Sequence, residues 1–206
     1  MKAIVRTLLA SFVAVLIGGA SLSTATDHFR AFTTEAARRL AVREHPVDVP
    51  AVTLETETGA RLDLAEFRGR WLLVDFVYTS CPTYCTTLGS EFAQLQRSLA
   101  APLAQHKVQL LSISFDLEHD TPQRLSEYLQ RFRTSDSEWL AARPVDQEGL
   151  ELLEKRFGIT VIPDSFGGYT HNAAIHLVDP HGRLVEIFDA GNPSVAAQAV
   201  MQRLEP

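Results

Sequence analysis

Cysteine and methionine are scarce in this 206-residue chain, two of each. The methionines are Met1 and Met201, so no methionine-rich metal surface can be assembled. Two cysteines are too few for an iron–sulfur cluster, which usually takes four thiolates. Excess cationic charge is also missing. The formal net charge is −6, and it falls to −8 once residues 1–25, which carry Lys2 and Arg6 and no acid, are set aside. An acidic domain argues against nucleic acid, because phosphate contacts need Lys and Arg. No internal repeat, low-complexity tract, acyl-transfer triad, phosphate loop or metal-hydrolase histidine pair is found. What remains, 46% hydrophobic against 21% charged, is a composition that folds rather than one that stays disordered.

Charge is absent from one long stretch, Thr7 to Thr26, behind a short basic start at Lys2 and Arg6. Leu8, Leu9, Phe12, Val13, Val15, Leu16 and Ile17 form its apolar core, and Ser23-Thr24-Ala25 has the small residues of a cleavage site. The run also approaches the roughly 20 residues that a membrane span requires. Residues 1–26 therefore read as a cleaved export signal or a retained anchor. Both place the rest of the chain in an oxidising compartment, where two cysteines can form a disulfide. Residues 27–50 are polar, with a weak helical pattern (Phe32, Ala36, Leu40) ended by Pro46 and Pro50, and read as a linker or arm.

From residue 51 to 206 the pattern alternates between strand and helix. Val52–Leu54 and Arg61–Leu64 flank Glu57-Thr58-Gly59, a hairpin signal. Trp71–Val77 is a nearly continuous apolar run, as expected of a strand covered on both faces, and Val108–Phe115 reads as a second buried strand. Between them Thr87–Leu103 has helical spacing. Thr121 with Pro122 starts a helix that runs to about Phe132, Trp139–Ala142 is a short strand, and Asp146–Phe157 is a helix ended by Gly158. Ala173–Val178 and Leu184–Phe188 pair across Asp179-Pro180-His181-Gly182, and Val195–Leu204 closes as a helix. A βαβ unit with a hairpin and a helix after it predicts an α/β, thioredoxin-like fold with an extra N-terminal β-hairpin.

The two cysteines lie in Thr79-Ser80-Cys81-Pro82-Thr83-Tyr84-Cys85, between the first apolar strand and the first long helix. Ligands of open αβ sheets collect at the carboxyl ends of strands. The positive end of a helix there lowers a thiol pKa and favours thiolate, the form that attacks disulfides and binds soft metals. Three intervening residues set the sulfurs about one helical turn apart, so both can converge on one ion while a third ligand arrives from elsewhere. Structural zinc prefers four protein ligands with more sulfur or histidine than is present here. Two thiolates and one imidazole suit copper best. A redox-active Cys81–Cys85 pair and a purely structural disulfide also fit the spacing.

Position chooses among seven histidines. His171 ends the irregular stretch Gly158–Thr170 and directly precedes Ala173–Val178, whose start abuts the cysteine loop in a thioredoxin-like sheet. Thioredoxin-type oxidoreductases carry a cis-proline at that place. Here the residues are Tyr169-Thr170-His171, and the nearest upstream proline is Pro163, which favours metal binding over disulfide exchange. His176, on the other strand parity from Ile175 and Leu177, reads as a surface or satisfied sheet residue. His28, His45, His106, His119 and His181 fall in the arm, at a strand start, in an acidic loop and in a turn. Asp116 and Asp120 bracket the end of Val108–Phe115, placed to order the site or offer an oxygen ligand, although Asp120-Thr121 also suits a helix start. Tyr78 and Tyr84 flank the thiols as a shield or as ordinary packing.

At these residues the chain resembles the Sco/SenC family of copper proteins, from about Val52 to Leu204. Phe67-Arg68-Gly69-Arg70-Trp71, Tyr78-Thr79-Ser80-Cys81-Pro82 with Cys85, Ser112-Ile113-Ser114 with Asp116 and Asp120, and His171 ahead of Asp179-Pro180-His181-Gly182 carry it. The resemblance implies a periplasmic or inner-membrane-tethered, thioredoxin-like protein that binds Cu(I) or Cu(II) through Cys81, Cys85 and His171. It implies a role in assembling the binuclear copper centre of cytochrome c oxidase, as copper donor or as thiol reductant of the copper subunit. A metal-independent thiol–disulfide oxidoreductase is the alternative. The family usually has Pro after the second cysteine, Asp before the metal histidine and Pro after Asp in the acidic loop; here these are Thr86, Thr170 and Leu117. All three implied ligands are intact, so the departures bear on the client more than on the metal.

Overall fold

The computed structural model describes residues 2–80, 84–135, 138–165 and 168–205, with backbone alone at 84–86. The chain divides into two units, Met1–His45 and Pro46–Pro206. The first holds two helices. α1 (Lys2–Ala25) buries none of its residues and is long and apolar enough to cross a membrane. α2 (Thr34–Glu44) starts where the Thr33 hydroxyl accepts the Ala36 N–H. Its Glu35 holds Arg38 and Arg39, three and four residues on along the same face.

In the second unit the strands are β1 (Val47–Asp48), β2 (Thr53–Thr56), β3 (Arg61–Asp63), β4 (Trp71–Val77), β5 (Val108–Ser114), β6 (Trp139–Pro144), β7 (Val161–Pro163), β8 (Tyr169–His171), β9 (Ala174–Val178) and β10 (Arg183–Asp189). The helices are α3 (Tyr84–Ser98), α4 (Ala100–Ala104), α5 (Pro122–Phe132), α6 (Gln147–Phe157) and α7 (Pro193–Leu204). Eight strands form one sheet in the order β1-β10-β9-β4-β5-β6-β2-β3, and β7 and β8 pair in a second, two-stranded sheet. β4, β5 and β6 are parallel, and β9 returns antiparallel beside β4. The N-terminal hairpin β2–β3 joins the far edge through β6.

Two successive crossovers step in the same direction, from β4 to β5 and on to β6, which puts α3 and α5 on one face. Phe92 of α3 and Tyr128 of α5 both meet the Trp139 ring there, at 5.7 and 6.4 Å. The path from β6 back to β9 runs the other way, and α6 covers the opposite face. Phe157 of α6 packs against Phe76 at 5.2 Å and against the His176 ring at 5.3 Å. Cover on both faces is why β4 and β5 are buried almost throughout.

Several elements differ from the sequence reading, each for a local reason. The helix expected over Thr87–Leu103 starts earlier, at Tyr84, and stops at Ser98 before the short α4. Pro102 has no N–H for the Ser98 carbonyl, so one continuous helix cannot form. Val47 and Asp48, expected in the arm, pair with Leu184 and Arg183 at the sheet edge. The stretch before His171, expected to be irregular, contains the β7–β8 pair. His176 is not at the surface: every residue of β9 is buried, and its ring sits edge-on between Phe76 and Phe157.

One buried group gives the fold a pH signature. Asp75 of β4 is fully buried, and burial pushes its carboxyl up to about 8. The Ser112 hydroxyl, on its register partner in β5, offsets part of this, while Glu91 of α3 raises it further. Neither Asp75 oxygen reaches hydrogen-bond geometry with a described residue. The folded state thus favours the protonated acid. That stabilisation is complete below the unfolded carboxyl range and is lost as pH rises through about 8. Denaturant midpoints of the wild type should fall between pH 6 and pH 9. Asp75→Asn should flatten that slope and be the more stable protein at pH 9; equal slopes would contradict the assignment.

Candidate metal centre

β4 and β5 end level with each other, and Phe115 donates its N–H to the Val77 carbonyl at 3.1 Å. Tyr78 and Phe115 therefore leave the sheet side by side, ring centroids 5.4 Å apart. β8 lies across them. Tyr169 meets Tyr78 at 5.1 Å and Phe115 at 5.5 Å, both edge-on. The Tyr78 hydroxyl accepts the Tyr169 N–H at 3.3 Å and faces the Tyr169 carbonyl at 3.4 Å. This stitches β8 to the strand that enters the cysteine loop. His171, two residues along β8, rests its ring against Phe115 at 5.1 Å.

Both ring nitrogens of His171 are buried, and among the described residues neither has a hydrogen-bond partner. Burial lowers its pKa, so the imidazole is held neutral. A buried, neutral, unpartnered imidazole is costly unless something supplies a bond. It is the form in which histidine binds a metal.

The start of the cysteine loop is tied down from the other side. Asp120, fully buried, accepts the Thr79 N–H at 2.8 Å and the hydroxyls of Thr79 and Ser114. Burial raises its pKa, while the Ser114 and Thr79 bonds oppose the rise and nearby Asp116 adds to it. Thr121 caps α5 through its own side chain. Asp120 is thus an anchor for the loop rather than the helix cap that its neighbours suggest. Arg124 of α5 adds a bond to the Ser80 hydroxyl at 3.1 Å.

Cys81 lies outside the described residues. Cys85 has its backbone in the first turn of α3, and its side chain is likewise outside the description. What the described residues bring together is the approach to the loop: Tyr78 to Ser80, Asp120, and β8 with His171. Asp116 does not face His171 as a partner. It holds the exposed His119 ring at 2.9 and 3.1 Å and raises that residue's pKa. Sequence reasoning missed Phe115 and Tyr169 as the seat of His171. An aromatic at a strand end and another two residues before the histidine were the only available signals.

Residues 44–205 match the SCO1/SenC family. The chain belongs to that family. It is 25% identical over 144 residues to the SCO1 protein homolog of Bacillus subtilis, covering 69% of this chain and 74% of that protein. A SCO1/SenC family lipoprotein from Bacillus anthracis shares the fold, with TM-score 0.70, 22% identity, and 79% of this chain against 98% of that one. Bradyrhizobium japonicum ScoI, solved with copper bound, matches at TM-score 0.64 and 25% identity over 77% of this chain and 99% of its own. Against the mitochondrial SCO2 homolog of Bos taurus, the match spans 47% of that protein's length. The fold of this SCO1/SenC member is accordingly thioredoxin-like, with the added hairpin β2–β3 at one edge.

Asp120→Ala should leave three donors without their acceptor and lower stability by about 2–3 kcal/mol, with faster hydrogen exchange at the Thr79 amide. Unchanged protection of that amide would show that the loop is anchored elsewhere.

Proposed function

We propose that this chain is a copper-binding assembly protein of the cytochrome c oxidase type, with Cys81 and Cys85 as thiolate ligands and His171 as imidazole ligand. One observation carries the reading: both nitrogens of a buried imidazole lack partners among the described residues, beside the strand end that leads into the only pair of thiols in the chain. Copper accepts this mixture of soft sulfur and imidazole. The copper-bound ScoI of Bradyrhizobium japonicum, at 25% identity, supports the same cargo.

The chain's own residues prepare the site in three ways. Burial keeps His171 deprotonated, so metal meets a ready nitrogen. Asp120 and Arg124 fix Thr79 and Ser80 ahead of the loop. The rings of Tyr78, Phe115 and Tyr169 hold β8 in place and keep water from its inner side. Thiols must lose their protons to bind metal, and a disulfide cannot bind it this way, so loading depends on a reduced pair. Delivery of copper to the oxidase copper subunit and reduction of that subunit's thiols both use this one reduced pair. α1 serves as a retained anchor that holds the protein at the periplasmic face of the inner membrane.

Replacing His171 by Ala in the reduced protein should weaken copper binding more than about 100-fold, beyond the 10–100-fold cost of losing an outer-shell partner. Anaerobic competition titration measures this. An affinity untouched by the change, together with fast disulfide reduction by the metal-free protein, would favour the oxidoreductase reading instead.

A further inference from the structure

The chain does not simply run off the end of α1. Thr7 to Thr26 is uncharged, α1 ends at Ala25, and a helical stretch of about 20 residues rises about 30 Å, the thickness of a bilayer's hydrocarbon core. Asp27 therefore falls at the boundary. There Asp27, His28 and Phe29 take φ of 47°, 59° and 64°, three successive left-handed residues without a glycine. L-residues resist this conformation, and a bulky one resists it most. Backbone bonds hold the turn closed. His28 donates its N–H to the Ser23 carbonyl at 2.7 Å, and Arg30 and Ala31 both donate to the Thr26 carbonyl at 2.9 Å. The Thr26 hydroxyl donates to the Leu22 carbonyl at 2.6 Å and accepts the Phe29 N–H at 3.1 Å.

The strained turn displays two large apolar side chains. Phe29 is 52% exposed and Phe32 is 68% exposed, close after the end of a helix that buries nothing. Arg30 braces the display. Its Nε donates to the Asp27 carbonyl at 2.9 Å, and its guanidinium pairs with Glu44 at the end of α2 at 2.6 Å. In water two exposed phenylalanines on a strained turn bring no gain. At a lipid surface they do, because aromatic and apolar groups beside a basic residue settle at the acyl–headgroup boundary.

We propose that residues 27–32 form a membrane-interface hook, in which Phe29 and Phe32 seat in the outer boundary of the bilayer that α1 spans and fix the height at which the chain leaves it. This rests on α1 being a retained anchor. The occupant is lipid because exposed Phe29 and Phe32 follow directly in the chain on α1, the helix that the same bilayer covers. The Arg30–Glu44 pair links this turn to the end of α2.

Full-length Phe29→Trp and Phe32→Trp proteins, reconstituted in phosphatidylcholine–phosphatidylglycerol vesicles, test the hook. Trp71 and Trp139 of the wild type supply the background to subtract. Each new tryptophan should emit to the blue and be quenched about twofold more by lipid brominated near the headgroup than by lipid brominated deep in the chain. Quenching by aqueous acrylamide, with none by bromolipid, would overturn the hook. Intact mass separates the two ideas. A chain shortened by residues 1–25 removes the anchor and the hook together, whereas a full-length chain with water-exposed tryptophans removes the hook alone. Unchanged copper stoichiometry certifies that the variants fold.

Discussion

β4 and β5 pair in parallel through seven matched residues, from Trp71 with Val108 to Val77 with Ser114. Everything at the site hangs on where that ladder stops. Because the strands end together, Tyr78 and Phe115 emerge as neighbours and make a seat of rings for β8. The same ending brings Ser114 and Thr79 within reach of one carboxylate, Asp120. A slip of β4 by one residue would exchange its two faces, turning Asp75 toward Phe157 and Phe76 toward α3. No aromatic seat and no anchored loop would survive it.

Burial does two opposite things to the ionisable groups nearby, and both favour neutral species. It lowers His171 and raises Asp75, Glu91 and Asp120. His171 and Asp75 are both pushed toward their neutral forms by this, one on β8 and one in β4. In such a setting charge brought by a bound ion or a thiolate is weakly screened, so it acts more strongly than in water. The acidic character of the domain is expressed elsewhere, in exposed residues such as Glu118 beside His119.

Much of this was legible in the residues. Apolar runs gave β4 and β5 almost to the residue, Thr121 with Pro122 gave the start of α5, and Gly158 gave the end of α6 at φ 64°. These are local signals with local causes. The β7–β8 pair was not legible, because its three-residue strands are held by side chains distant in sequence, notably Tyr78 on Tyr169 and Asn172 on Thr160. For His176 the sequence left a surface and a sheet position both open, for a similar reason. Strand parity sends its ring away from Ile175 and Leu177, but only the path of α6 makes that second face an interior. His171 was chosen from its place before β9, while the lack of a partner for its ring nitrogens among the described residues could be seen only in three dimensions.

The metal centre proposed for this chain requires one imidazole and two thiolates to share an ion. X-ray absorption on the reduced protein loaded anaerobically with one equivalent of Cu(I) reads those ligands directly. Two sulfur scatterers at about 2.3 Å with one imidazole nitrogen at about 2.0 Å are expected, by analogy with soft-metal thiolate and imidazole bonds. A sulfur-only shell, or the same spectrum after both cysteines are alkylated, would contradict that centre.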